Sequence, residues 1–583
     1  MKIAVQSLVE NFSGSDYIIK ELIDRQVEYI FLVPGKQIDS LFNSLTHSCI
    51  QPILANHELG AGYMADGYAR ATRRIAVCMS IGGPGASNLL TSAITACQDE
   101  SPVLFLTGNI PTNLQGLGYF QDASPAGSRD VDLFQQAVPY ACSVENVSEL
   151  GPLLQKAMQT LEARPHGPAH LSIPLDIQAH RYVHAKGLNP MTLTAASTAI
   201  FLSPLKEMAN IKKLGRLLSS YTKVVMLIGS GALQGDCAQY LQHFVETFCI
   251  PVATTCAAKG LLPETHPLSL GVFDYGSNQR ATATFHRDDV EALVLFGLND
   301  HEQSLFRVNS EYYFPERILI SVSQSYRNDT RIQLNYDLVV SDYTALLTNS
   351  ELLENPIDQK DQHDRLQWVE SLRSIPWDWP LSCEGDNDGS IPLDVLVCEL
   401  RQQLPNDTIF CADAGLSRLV ANQFWVARQP HSFFTAPSNA PMGWAIGAAI
   451  GVQLAHPERF VTVLTGDGSM RMHGFELATA ARYQLPILFI ISNNEAYGSV
   501  CARFPEDPLT EQHAHLPPVN WLGFAQSLGV KAERVESTSE LRVALDKVVL
   551  PAVQAHRIPF LLEVRTPVTY RNVAAKIGGS AIW

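Results

Sequence analysis

Residues 460–470 read FVTVLTGDGSM and residues 486–494 read PILFIISNN, with HGFELATAARYQ (473–484) between them. The two outer segments begin as short β-branched and aromatic runs of strand length, and the middle one is helix-like. Strand, helix, parallel strand is the repeating unit of an α/β fold. It puts Gly466-Asp467-Gly468-Ser469 and Asn493-Asn494 at the carboxyl ends of two neighbouring strands. Open α/β sheets hold ligands at that edge. The carboxylate of Asp467, the amide oxygen of Asn494 and the carbonyl of Ala496 form a hard-oxygen set suited to Mg²⁺. Gly468 and Ser469, opening a helix, can present N–H groups to a phosphate. A GDG turn or an NN turn alone is a common loop feature; the pair flanking one helix is much rarer.

Working outward, three stretches alternate short apolar runs with amphipathic segments, predicting three consecutive α/β domains with parallel sheets flanked by helices. The first covers 12–180, with strands at Tyr29–Val33, Ile75–Met79, Val103–Thr107 and Ala169–Ile173. The second covers 205–345, with strands at Val224–Ile228, Ala292–Phe296 and Arg317–Ile320. The third covers 390–570, with strands at Thr408–Cys411, Phe460–Thr465, Ile487–Ser492 and Phe560–Arg565. Linkers are expected at 181–204 and 350–388, where periodicity fades and turn-forming residues collect. The first and third stretches have similar length and strand order, which permits a duplication.

In the first stretch, ANHELGAGYMADGYAR (55–70) follows a short β-run at Pro52–Leu54. Glu58 falls at the start of a helix, where a carboxylate also suits the helix dipole. An HExxH zinc motif would need histidine at 61, and that residue is Ala61.

These segments together resemble the thiamine-diphosphate enzymes of the acetolactate synthase and pyruvate decarboxylase superfamily. The GDGS–NN pair resembles that family's diphosphate and metal motif, which implies Asp467 and Asn494 as Mg²⁺ ligands. Residues 55–70 resemble its HExxAxxxAxGYAR segment, whose glutamate hydrogen-bonds the aminopyrimidine and promotes the imino tautomer that deprotonates the thiazolium. That implies Glu58 as catalytic, and an apolar pocket raising its pKa would help the exchange. The loop Ile81-Gly82-Gly83-Pro84-Gly85-Ala86-Ser87-Asn88 resembles the one beside the pyrimidine, implying Pro84 and Asn88. Phe120-Gln121-Asp122 is similar to a segment whose Gln faces the reacting centre, implying Gln121. Cys411 to Ser417 resembles the turn on the diphosphate side, implying Gly415 and Ser417. Ala440-Pro441-Met442-Gly443 is similar to GxMG, in which Met442 would wedge between the cofactor's rings and Ala440 would meet the pyrimidine. Gly468, Ser469, Asn494, Ala496, Tyr497 and Gly498 complete the implied cofactor set.

The resemblance spans nearly the whole chain and implies pyrimidine-binding, central Rossmann-like and diphosphate-binding domains in that order. It further implies a homodimer or homotetramer with active sites between subunits, a 2-keto acid donor such as pyruvate, and either carboligation to a carbonyl acceptor or release of aldehyde. Two segments depart from the pattern, both on the acceptor side. Where acetolactate synthases carry an arginine in GVRFDDR, this chain has Gly297-Leu298-Asn299-Asp300-His301-Glu302-Gln303, and where they carry a Trp it has Arg503. The acceptor is therefore expected to differ. No adjacent His pair of the pyruvate decarboxylase kind occurs, which favours carboligation. FAD stays open: Gly229-Ser230-Gly231 is an incomplete glycine pattern, and small residues there equally serve packing.

A net charge of −16 and pI near 5.5 argue against nucleic acid or an anionic membrane as partner. No apolar run is long enough to span a bilayer. Eleven scattered cysteines and an N-terminus without a leader pattern predict a cytoplasmic protein with reduced thiols.

Overall fold

A computed structural model describes residues 12–182, 203–273, 275–299, 302, 317–324, 334–353, 358–379, 381–382, 390–503, 508–555 and 557–568. Among the described residues there are three six-stranded sheets, each wholly parallel, together with one two-residue antiparallel pairing of Phe12–Ser13 with Arg181–Tyr182. The α/β class and the three sheets match the sequence reading.

The first sheet runs Gln51–Leu54, Tyr29–Leu32, Ala76–Ser80, Val103–Asn109, Ala169–Pro174, Tyr140–Ser143. The third runs Phe433–Phe434, Ile409–Ala412, Val461–Gly466, Ile487–Asn493, Phe560–Arg565, Lys531–Val535. Numbered within each sheet in chain order, both read 2-1-3-4-6-5. The central sheet runs Ser269–Val272, Val252–Thr254, Val224–Ile228, Ala292–Phe296, Ile318–Ser323, Tyr336–Val339, which is 3-2-1-4-5-6. That last order is the doubly wound dinucleotide-fold arrangement, whose ligand crevice lies between strands 1 and 4.

The interior strands are buried on both faces, as in VVMLI at 224–228 and ALVLF at 292–296. Continuous apolar runs of this kind mark strands covered by helices on both sides.

The chain divides into two compact units. One holds the first sheet with segments 447–457 and 475–483 from the third stretch; the other holds the central and third sheets. The first unit explains the small residues around Glu58. A Cβ at Gly67 would lie 2.3 Å from the carbonyl oxygen of Ala448, and one at Gly451 would lie 2.0 Å from that of Met64. Helix Glu58–Thr72 and segment 447–457 therefore meet backbone to backbone, which side chains at those positions would prevent.

The segment between strands Val461–Gly466 and Ile487–Asn493 differs from expectation. It is two helices, Asp467–His473 and Glu476–Arg482, and helix begins at Asp467 itself. The second helix belongs to the unit of the first sheet.

Candidate active site

Within the first unit, Glu58 opens helix Glu58–Thr72, after His57 caps it by accepting the N–H of Leu59. Glu58 is half-buried. Asn88 donates to Glu58 Oε2 at 3.0 Å. Gly85 packs beside them: a Cβ there would lie 2.3 Å from Ser80 Oγ and 3.4 Å from Glu58 Oε1. Pro84 starts the helix Pro84–Gln98 after Gly83, whose φ of +67° favours glycine.

The loop bearing Gln121 is held by the first sheet. Buried Gln37 donates to the Gln121 carbonyl at 2.8 Å and accepts the Gly82 N–H at 2.7 Å. Asp130 accepts the Gly83 N–H at 2.7 Å. Burial acts upward on Asp122, yet donation from Ser124 and Gly116 leaves its carboxyl below the usual range. Gln121 itself adopts φ +56°, a left-handed conformation uncommon for a side-chain-bearing residue. The structure thus brings Glu58, Pro84 and Asn88 together, with Gln121 tied to the same glycine loop through Gln37.

In the second unit, Asp467 lies at the end of strand Val461–Gly466 and is 1% exposed. Its Oδ2 has no hydrogen-bond partner among the described residues. Burial pushes its pKa up to about 6, against donation from the Gly468 N–H. Strand register sets Gly466 beside Ser492, and Asn493-Asn494 follow at the end of the next strand. Asn494 Oδ1 accepts the N–H of Ala496, whose carbonyl accepts that of Gly498. A Cβ at Gly498 would lie 2.6 Å from Asn494 Nδ2, and one at Gly468 would lie 2.9 Å from the Tyr497 ring and 3.2 Å from Met442 Cε. Asp467, Gly468, Asn494, Ala496, Tyr497, Gly498 and Met442 are therefore one cluster. Gly415, at φ +82°, starts the helix carrying Ser417, and a Cβ there would lie 3.9 Å from Ser499 Oγ. Ala440 adopts φ +52° two residues before Met442.

An unsatisfied carboxylate oxygen at a buried strand end is costly unless a cation or donor meets it. Asp467, Asn494 and the Ala496 carbonyl supply the oxygen types a Mg²⁺ ion takes, and Gly468 and Gly498 leave the space side chains would fill. The residues present fit the metal and a diphosphate.

Two organising residues escaped the sequence reading. Asp413 is fully buried; it accepts the Gly443 N–H at 3.0 Å, the Thr465 hydroxyl at 2.6 Å and a bond from Ser469. It ties the Met442 turn to the strand before Asp467, and it takes the hydroxyl of Ser469. A strand-end Asp in CADAG was the signal. Glu476 accepts the N–H groups of Asn56 and His57, just ahead of Glu58. No local pattern could have revealed a contact across 420 residues.

Asn299 is buried and donates to Ser230 Oγ at 2.9 Å. Asp300, His301, Gln303 and the side chain of Arg503 lie outside the described residues.

A parallel-sheet fold with a diphosphate cradle and a helix-start glutamate defines a class, and sequence comparison names it. Models of the thiamine pyrophosphate enzymes match three parts of the chain: the N-terminal TPP binding domain at 12–127, the central domain at 211–347 and the C-terminal TPP binding domain at 413–564. The chain belongs to the thiamine pyrophosphate enzymes. Among relatives, it is 29% identical over 577 residues to the probable acetolactate synthase large subunit of Methanocaldococcus jannaschii, covering 94% of this chain and 91% of that protein. It is 27% identical over 552 residues to the probable acetolactate synthase large subunit of Methanococcus aeolicus, covering 92% and 90%. The acetolactate synthase isozyme 3 large subunit of Escherichia coli K12 is 27% identical over 505 residues, covering 84% of each. This is a thiamine-diphosphate-dependent enzyme resembling acetolactate synthases. Among the described residues no helix is long and apolar enough to cross a membrane.

Proposed function

We propose that the enzyme decarboxylates a 2-keto acid of the pyruvate kind and joins the retained acyl unit to a carbonyl acceptor. Bound thiamine diphosphate supplies the carbon nucleophile and electron sink that a simple side chain lacks. The observation that carries the reading is Asp467 Oδ2, a buried carboxylate oxygen without a partner at the end of the GDGS strand. In this reading Asp467, Asn494 and the Ala496 carbonyl hold Mg²⁺, and Gly415, Ser417, Gly468, Ser469 and Gly498 line the diphosphate. Tyr497 packs beside them. Met442, held by the Asp413-anchored turn, orients the cofactor, with Ala440 beside the pyrimidine. Glu58 exchanges a proton with the pyrimidine, and Asn88 fixes the glutamate's rotamer. Pro84 borders the same ring, and Gln121 reaches toward the substrate.

The cofactor halves belong to residues 12–180 and 390–570, with active sites assembled between two copies of the chain, as a dimer or tetramer. The acceptor differs from that of acetolactate synthases, a reading supported by Asn299 and Arg503 in place of the expected Arg and Trp. The enzyme works in the cytoplasm. Incubation with pyruvate alone, then with a panel of aldehydes and 2-keto acids, followed by product analysis, tests the reaction. Ligated product is expected; stoichiometric aldehyde with no ligated product would replace this reading with a decarboxylase or lyase.

A further inference from the structure

The central sheet has the strand order of a dinucleotide fold, and its crevice between strands 1 and 4 opens beside Gly229-Ser230-Gly231. In such folds the backbone N–H groups of the turn after strand 1 receive the ligand's phosphates. Here that turn already holds a carboxyl group of the chain. Glu302, buried and six residues past Phe296 at the end of strand 4, accepts the Ser230 N–H at 2.9 and 3.0 Å on its two oxygens. It also accepts the Ser230 hydroxyl at 3.1 Å, the Thr255 hydroxyl at 2.5 Å and the Asn299 N–H at 2.9 Å. Asn299 closes the ring: its side chain accepts the Glu302 N–H at 2.8 Å and donates to Ser230 Oγ at 2.9 Å. No room remains at the turn. A Cβ at Gly229 would lie 2.5 Å from Glu302 Oε2 and 2.7 Å from the Gly297 carbonyl oxygen.

We infer that Glu302 is a built-in carboxyl group that fills the phosphate position of the central domain's dinucleotide crevice, so this domain takes neither FAD nor another dinucleotide there. The donors at the end of strand 1 are already spent: the Ser230 N–H and hydroxyl on Glu302, and the Gly229 and Gly231 N–H groups on the carbonyls of Phe296 and Gly297. A ligand diphosphate would have to displace a buried, multiply bonded group and would then face its charge. Such unpaired burial is among the costliest arrangements in a protein. A packing role for the glycines follows directly: they admit Glu302 rather than a cofactor. The inference is independent of the reaction proposed above.

The test uses the full-length enzyme saturated with thiamine diphosphate and Mg²⁺, so that the catalytic diphosphate site is occupied. FAD is titrated to ~100 µM with calorimetry and flavin fluorescence as readouts. No saturable binding is expected, and the purified protein should show no flavin absorbance. Saturable FAD binding by the unaltered chain overturns the inference. In Glu302→Ala, inorganic pyrophosphate should bind at least about tenfold more tightly than to the unaltered chain. Equal, undetectable responses in a folded variant would mean Glu302 is not what excludes the anion. Should that variant fail to fold, the FAD titration of the unaltered chain decides alone.

Discussion

The carboxylate of Glu476 accepts the backbone N–H of His57 at 3.1 Å, one residue before Glu58. It also accepts the Asn56 N–H at 3.2 Å and the Thr479 hydroxyl at 2.7 Å. A Cβ on Gly60 would lie 2.1 Å from Glu476 Oε1, so this carboxylate sits against the first turn of the Glu58 helix. A buried anion there both satisfies N–H groups and meets the positive end of the helix dipole. Glu476→Gln puts an NH₂ group against N–H donors and removes the charge. It should destabilise the protein by about 1–3 kcal/mol. It should also lower kcat by roughly tenfold or more while cofactor affinity changes little. Melting curves and steady-state kinetics decide; unchanged kcat would mean that Glu476 does not position Glu58.

Glu58→Gln preserves the bond to Asn88 in outline but cannot exchange a proton. Turnover should fall by at least about 100-fold, with thiamine diphosphate still bound in calorimetry. Near-normal turnover would leave Glu58 as a helix-start residue and no more.

Asp467→Ala should abolish Mg²⁺-dependent binding of thiamine diphosphate, and chelation of the unaltered enzyme by EDTA should do the same. Without metal, Asp467→Asn should not lower the melting temperature at pH 8, because burial makes the charged carboxylate unfavourable there. Cofactor binding by the unaltered chain that ignores EDTA would refute the metal assignment.

Asp413→Ala tests the Met442 turn. It leaves the Gly443 N–H and the Thr465 hydroxyl without their acceptor, which should cost about 1–3 kcal/mol or more and weaken cofactor binding. A variant as stable and as tightly cofactor-bound as the parent would show that the turn holds without Asp413.

His170 sits fully buried on the fourth interior strand of the first sheet, stacked on Phe134 at 3.8 Å, with Thr107 Oγ1 at 2.9 Å from Nε2. Burial pushes its pKa down to about 3. A depressed histidine pKa stabilises the fold above the unfolded value near 6.5 and withdraws that stability as pH falls toward 3. Between those limits each pH unit should cost about 1.4 kcal/mol from this group. His170→Gln should flatten the acid limb of a stability–pH curve; an unchanged slope would locate the acid sensitivity elsewhere.

The interior strands were legible because both their faces are covered, leaving continuous apolar runs such as VVMLI and ILFIIS. The strands missed were mostly at sheet edges: Tyr140–Ser143, Ser269–Val272, Tyr336–Val339, Phe433–Phe434 and Lys531–Val535. Four of these five have only two to four residues, so their patterns merge with loops. Val252–Thr254, an interior strand, has only three residues. The segment after GDGS looked like one helix because its spacing is helical throughout; the break at Gly474-Phe475 comes as the chain passes from one compact unit to the other.

The sequence by itself determined the α/β class, the three sheets and the cofactor family, and it singled out Glu58, Asp467 and Asn494. Strand-end turns and helix starts are written in neighbouring residues, and the residues proposed for the site lie at them. Only the tertiary structure decided what holds the set in place. Glu476 reaches His57 across 419 residues, Asp413 joins two turns, and Glu302 fills a crevice that the glycines alone left open to a cofactor. A buried carboxylate acquires its meaning from the donors around it, and those donors come from segments far apart in the chain.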